Sequence, residues 1–302
     1  MQTLANKYRP TKFEDVVGQP INREVLQKQI DNNSYSHAIL FAGNAGCGKT
    51  TCARIFANMI DGEILEYDCA SHNGVSDIRE IIAEARVQSL INEYKVFILD
   101  ECHTLSSAAW PALLITLEEN LPKSIFILCT TNTEKIPDTI MSRVQRFNFS
   151  PITRTTIIDR LKYVCQEENI TVNDDALDCI SKTANGNMRQ ALTNLDKCIL
   201  YGDLSLDGVQ RVLNVISDNI FDDLYKAIES SNINDITNII NNIYLEGYEL
   251  HFVIRQFLDY LLIIKGDLKI IDTTLTLINE IRYDNSPRTL IIARYICCDI
   301  QK

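Results

Sequence analysis

Residues 43–50 read G-N-A-G-C-G-K-T, and no other run constrains the fold of this chain as tightly. The spacing Gly-x4-Gly-Lys-Thr suits a loop whose backbone N–H groups wrap phosphates while a lysine reaches the outer two. On this reading Gly43, Asn44, Ala45, Gly46, Cys47 and Gly48 form the cradle, and Lys49 carries the charge. Thr50 offers a hydroxyl to Mg²⁺, Thr51 follows it into a helix, and the positive end of that helix faces the anion. Such a loop needs a strand before it and a helix after it. Residues 37–41 are apolar and strand-like, and residues 51–60 carry helically spaced apolar side chains. The expectation is an α/β fold that binds a nucleoside triphosphate.

About 50 residues further on, V-F-I-L-D-E is a hydrophobic strand ending in Asp100 and Glu101. A strand end can hold Asp100 rigidly beside a Mg²⁺ bound by Thr50. Glu101 can then polarise the water that attacks the γ-phosphate. Alone, an Asp-Glu pair also suits a solvated turn. Downstream of a phosphate loop, it predicts hydrolysis as well as binding. Residues 125–132 form a third apolar strand, ending in Thr130, Thr131 and Asn132. These small polar groups are expected between the acidic strand and the phosphate strand, within reach of the γ-phosphate. Ser142 and Arg143 carry no meaning as an isolated pair.

At 302 residues the chain exceeds one ordinary core, and two or three domains are expected. Strands are expected at 38–42, 64–68, 96–100, 125–130 and 146–148. Helices are expected at 19–32, 50–60, 76–91 and 107–120. This alternation predicts a doubly covered parallel sheet with its ligand at the carboxyl ends of the strands. Beyond residue 151 only helical periodicity remains, at 155–168, 174–183, 188–200, 206–215, 219–230, 233–246, 250–264, 268–282 and 289–300. A polar stretch at 217–219 suggests domains at 1–150, 151–216 and 217–302.

The net charge of −11 argues against a solitary DNA binder and leaves DNA contact within an assembly open. No apolar run is long enough to span a bilayer, and residues 1–10 lack the apolar core of a signal peptide. No membrane is expected as a partner. A cytoplasmic location is expected, bacterial or that of an infected host. The ten cysteines are scattered without a Cys-x2-Cys pair, and the four histidines form no cluster. Buried free thiols are therefore expected, with neither zinc nor disulfide.

Lys7-Tyr8-Arg9-Pro10, Phe13 and Val17-Gly18-Gln19 precede the phosphate loop. Asp100-Glu101-Cys102-His103, Thr130-Thr131-Asn132, Ser142-Arg143-Val144 and residues 186–192 (G-N-M-R-Q-A-L) follow it. In order and spacing this set resembles the clamp-loader ATPases of the AAA+ superfamily, and most of all the gamma/tau subunits of bacterial DNA polymerase III. The likeness runs from about residue 4 to residue 200. It implies an AAA+ P-loop sheet with a helical lid, followed by an all-α collar.

Further implications attach to single positions. Tyr8, Arg9 and Pro10, with Val16, Val17 and Gly18, would line the adenine pocket. Thr131, or alternatively Asn132, would be the sensor at the strand end. Arg143 would be an arginine finger reaching a neighbouring subunit's ATP, and Arg189 a second sensor on the lid. Arg79, at the start of a helix, would face template-strand phosphates; its alternative is a pair with Glu80 or Glu84. Residues 105–114, with Trp110, would be the apolar clamp contact; their alternative is core packing. Against the family's pattern, the four-cysteine zinc insert is missing after the phosphate-loop helix. Val144 replaces the usual cysteine, and the long C-terminal extension of tau is not seen. The resemblance implies ATP- and Mg²⁺-dependent opening of a sliding clamp and its loading on primer-template DNA. The chain would work with other loader subunits in a pentamer-like hetero-oligomer. Two alternatives remain open: a related recombination or branch-migration ATPase, and a scaffold that binds ATP without hydrolysing it.

Overall fold

The computed structural model describes residues 2–298 apart from 120, 122, 283 and 285. Five strands, β1 (Ala38–Gly43), β2 (Gly62–Asp68), β3 (Tyr94–Asp100), β4 (Ser124–Thr130) and β5 (Gln145–Phe149), pair in parallel in the order β2-β3-β4-β1-β5. Each contains its expected strand and extends it by one or two residues at one or both ends. Pairing puts Phe41 opposite Cys129 and Leu99 opposite Leu128, so the ends of β1, β3 and β4 lie level.

Alternation along the strands builds two cores. Ile39, Phe41, Val96, Ile98, Ile125 and Ile127 face one side with Leu26 and Phe56. Leu26 lies on α2 (Pro20–Asp31) and Phe56 on α3 (Lys49–Met59), with α1 (Leu4–Lys7) before them. Leu40, Phe97, Leu99, Phe126 and Leu128 face the other side, against α4 (Val75–Ala85) and α5 (Ala109–Glu119). Strands buried on both faces read as unbroken apolar runs, and this sheet does so at its centre. Trp110 is 5% exposed within the second core, so the lone tryptophan is a packing residue and not an exposed clamp contact.

α4 ends at Ala85, six residues before its expected end at 91. The Ser89 hydroxyl accepts the N–H groups of Ile91 (3.4 Å) and Asn92 (3.2 Å), a local turn that competes with helix. Asp61 then takes the Glu93 N–H and the Asn92 amide, leading the chain into β3. Val87, Leu90 and Ile91 are left exposed on this loop. α3 ends at Met59 and β2 opens at Gly62.

After α6 (Asp138–Met141) and β5 come α7 (Arg154–Glu167), α8 (Asp174–Ala184) and α9 (Met188–Tyr201). Chain contacts divide the molecule into two compact units, Met1–Leu200 and Tyr201–Lys302. The second holds α10 (Leu206–Leu213), α11 (Asp218–Glu229), α12 (Ile233–Leu245), α13 (Leu250–Ile264), α14 (Leu268–Glu280) and α15 (Pro287–Ile296). α10, at the end of the expected lid, groups with this second unit. The second unit has its own core around Phe221, Phe257 and Tyr295. Inside it the Tyr295 and Thr274 hydroxyls lie 3.1 Å apart. Residues 299–300, at the end of the last expected helix, and residue 120, at the end of the helix expected before β4, lie outside the described residues. All ten cysteines are free, and Cys297 alone is exposed, where burial was expected of every thiol. Among the described residues no helix is long and apolar enough to cross a membrane.

Phe97 and Phe126 stack with ring centroids 5.0 Å apart in the α4/α5 core. Phe126→Ala is expected to destabilise the first unit by about 3–5 kcal/mol in urea unfolding, against about 0.5 kcal/mol or less for Leu90→Ser on the exposed loop. Equal effects at the two positions would contradict this packing.

Candidate functional site

The strand order decides what meets at the carboxyl edge of the sheet. β4 lies between β3 and β1, so Thr131 stands between the acidic pair and the phosphate loop. The Thr50 hydroxyl donates to Asp100 Oδ2 at 2.8 Å, and the Glu101 N–H donates to Asp100 Oδ1 at 3.0 Å. Both Asp100 oxygens are thereby oriented. Glu101 itself has φ +48, a left-handed conformation uncommon for a residue with a side chain. Its Oε2 accepts from the Thr131 hydroxyl at 3.0 Å and lies 3.2 Å from His103 Nδ1. The buried Thr130 hydroxyl lies 3.3 Å from the same ring nitrogen. Asn132 is used otherwise: its side-chain oxygen accepts the Glu134 N–H at 3.0 Å and caps a short turn.

The phosphate loop folds back on itself. Lys49 Nζ donates to the carbonyls of Gly43 (2.8 Å) and Asn44 (2.9 Å). Cys47 Sγ donates to the Asn44 carbonyl, and burial pushes this thiol above its ordinary range, so it fills space rather than reacts. Gly46 has φ +66, and a Cβ there would stand 1.7 Å from Asn187 Oδ1. The Met188 N–H donates to the Gly46 carbonyl at 3.1 Å, joining the start of α9 to the loop. Asn185 and Gly186, both at positive φ, turn the chain sharply between α8 and α9.

These elements enclose an open cleft at the carboxyl edge of the sheet. Of the residues singled out by sequence, Tyr8, Arg9, Pro10, Val16, Val17, Asp100, Glu101 and Arg189 line it. So does the loop from Ala45 through Gly46, Cys47, Gly48, Lys49 and Thr50 to Thr51. Gly18 does not; at φ +71 it packs near Ile152, beside Gln19 at φ +53. Gly43 and Asn44 act through the carbonyls that hold Lys49. Thr131 and Asn132 lie outside the cleft walls, the former reaching them through Glu101. Arg143 is turned away from the cleft, 2.5 Å from Glu118 and 2.8 Å from the Thr139 carbonyl. Arg79 lines a separate groove between α4 and α5. Glu84 pairs with Lys95, and among the described residues Arg79 has no ion pair.

Several wall residues carried little signal of their own in the sequence. Arg160 lines the cleft from α7, donates to the Tyr8 carbonyl at 3.1 Å and stacks over Tyr163. Gln19 donates to the Ser150 carbonyl at 2.6 Å and the Cys47 carbonyl at 3.4 Å, tying the loop to the end of β5. Met188 and Leu192, inside the 186–192 run, supply an apolar flank.

The residues present fit a nucleoside triphosphate with Mg²⁺. Burial first, and then the Arg54 and Arg189 guanidinium groups, hold Arg9 below its ordinary range, so positive charge is crowded where a phosphate chain would relieve it. The Thr50 hydroxyl and Asp100 carboxylate are the hard oxygen donors that Mg²⁺ takes.

Fold and cleft together define an AAA+ P-loop protein with a helical lid. The profile of the family described as "DNA polymerase III, delta subunit" matches residues 61–153, and that of the "RCF1/5-like, AAA+ ATPase lid domain" matches residues 159–199. The tau subunit of DNA polymerase III from Bacillus subtilis is 35% identical over 86% of this chain and 51% of its own length. The gamma/tau subunit of Mycoplasma genitalium is 32% identical over 84% of this chain and 47% of its own. The RuvB Holliday junction branch migration motor of Thermotoga maritima shares the fold with TM-score 0.59, covering 84% of this chain and 90% of RuvB at 18% identity. Over most of its length the chain is similar to the gamma/tau subunits of DNA polymerase III, and residues 159–199 match an AAA+ lid. It spans about half the length of these relatives.

Gly46→Ala combines a disfavoured φ with collision against Asn187. It is expected to destabilise the first unit by about 1–3 kcal/mol and to abolish binding of a fluorescent ATP analogue. Wild-type melting and binding in that variant would contradict the contact between loop and lid.

Proposed function

We propose that this protein is an ATPase subunit of a DNA sliding-clamp loader. The observation that carries the proposal is the pair of contacts at the carboxyl edge around β4. Thr50 is on Asp100, Glu101 is on Thr131, and the phosphate loop lies alongside. This arrangement supports hydrolysis over nucleotide storage alone. Similarity to the gamma/tau subunits supports the loader reading over other AAA+ activities.

In this reading the backbone N–H groups of the loop hold the phosphates, and Lys49 exchanges its loop carbonyls for the outer phosphate oxygens. Thr50 and Asp100 would hold Mg²⁺, which would supply charge neutralisation at the phosphates. Glu101 leaves the Thr131 hydroxyl, orients the attacking water and takes its proton. Thr131, freed in the same movement, is the sensor; Asn132 is committed to its turn. Arg143 faces away from its own cleft and acts in a neighbouring subunit, which makes hydrolysis depend on assembly. Arg189 moves with the lid, residues 151–216. Residues 217–302 form the collar that joins subunits in a pentamer-like hetero-oligomer. Clamp and primer-template DNA are the partners, Arg79 is a candidate phosphate contact, and the cytoplasm is the place of work.

The test is steady-state ATPase of the assembled complex with clamp and primed DNA. Both together are expected to stimulate turnover strongly. Glu101→Gln is expected to lower it about 10²–10⁴-fold and Arg143→Ala about 10³–10⁵-fold, with ATP still bound. Stimulation by four-way junctions instead would favour a branch-migration ATPase. Binding without turnover under every condition would leave a nucleotide-holding scaffold.

A further inference from the structure

The base-side wall of the cleft is not made by the sheet domain alone. Ala5, Asn6, Tyr8, Arg9 and Pro10 form much of it, on a segment that precedes the first long helix. The partners of this segment are mostly lid residues. The Leu4 N–H donates to Asp196 Oδ2 on α9 at 2.8 Å. Lys7 Nζ lies 2.5 Å from Glu168 at the end of α7, and the Tyr8 hydroxyl donates to the same carboxylate. Arg160 on α7 holds the Tyr8 carbonyl, and Tyr163 meets the Tyr8 ring edge-on with centroids 6.3 Å apart. Toward the sheet domain, among the described residues, the segment's one side-chain hydrogen bond is Arg9 Nε to Thr51 at 3.4 Å, a long one.

The tie also bears on the titration of two of these groups. Burial, with the Glu168 carboxylate second, pushes the Tyr8 phenol up to about 12. Bonds from Lys7 and then Tyr8 hold Glu168 below the usual carboxylate range.

We propose that Glu168 and Asp196 are positioning residues for nucleotide binding: they strap residues 4–10 to the lid, so that the base-side wall and Arg189 move as one jaw. Neither carboxylate lines the cleft; each acts through the segment it holds. When the lid turns, the wall against the base turns with it, and binding the base selects a lid orientation. The strap thereby couples the two ends of the nucleotide, one at the base and one at the phosphates, through side chains that touch neither. The inference rests on the reading that the cleft binds ATP.

The test uses the full chain with Glu168→Gln, Asp196→Asn and the double variant. Glu167→Gln, exposed one residue earlier, is the charge control. In titrations with a fluorescent ATP analogue, the double variant is expected to bind about tenfold more weakly, and the control as wild type. In the assembled complex KM for ATP should rise by a similar factor with kcat unchanged, the pattern of lost uniform binding. Hydrogen exchange at residues 4–10 should quicken in the nucleotide-free double variant, with little change in melting temperature. Wild-type affinity in the double variant would overturn the strap while leaving ATP binding intact. A parallel fall of kcat, affinity and melting temperature would overturn it in favour of a structural role. Absence of nucleotide binding by the wild-type chain would remove both readings.

Discussion

The position of β4 between β1 and β3 is the constraint on which the rest of the site depends. Parallel pairing in this order brings the phosphate loop, the acidic pair and Thr131 to one edge, from stretches of chain about 50 and 30 residues apart. The order is held by apolar side chains on both faces, with Phe41, Val96 and Ile127 packed to one side and Leu40, Phe97 and Leu128 to the other. A sheet buried on both faces cannot slip register without moving whole layers of side chains, so the edge is rigid where the site needs rigidity. The Thr50–Asp100 hydrogen bond is possible because that edge is level.

Rigidity on one side is met by polar ties to the lid on the other. The lid touches the phosphate loop at Gly46 and holds Arg189 over the cleft. It also carries the partners of the segment that walls the base side. The strained backbone at Glu101 belongs to the same design. A left-handed residue at a strand end aims its carboxylate along the edge, toward Thr131 and His103, and not out along the strand. Arg143 is bonded to Glu118 and is not among the residues that line the cleft.

Much of this architecture was legible in order of residues. Strands read as apolar runs because they are buried on both sides, and the loop read as a phosphate cradle because its glycines sit at fixed spacing. The helical half read as helical because its apolar side chains recur with that period. Misreadings came where a local polar group or a long-range contact outweighed pattern. The apolar run to Ile91 suggested a longer α4, but the Ser89 hydroxyl takes the backbone N–H groups and stops it. For Trp110 the sequence left surface contact and core packing open, and its burial on α5 decides for the core. Arg160 had no pattern to announce it, since its tie to the cleft wall is a bond to Tyr8, 152 positions away.

The sequence by itself determined the chemistry available: a lysine and a threonine after a glycine loop, and an acidic pair at a strand end. Spacing carries that information because a loop, a strand end and a helix start are local structures. Only the tertiary structure decided which of these groups meet. It chose Thr131 over Asn132 as the neighbour of Glu101, since Asn132 is spent on a turn. It turned Arg143 away from its own cleft, and it joined residues 4–10 to Glu168 and Asp196 across some 160 to 190 residues of chain. Contacts at such separations depend on how layers stack and where helices end, and no local period records them.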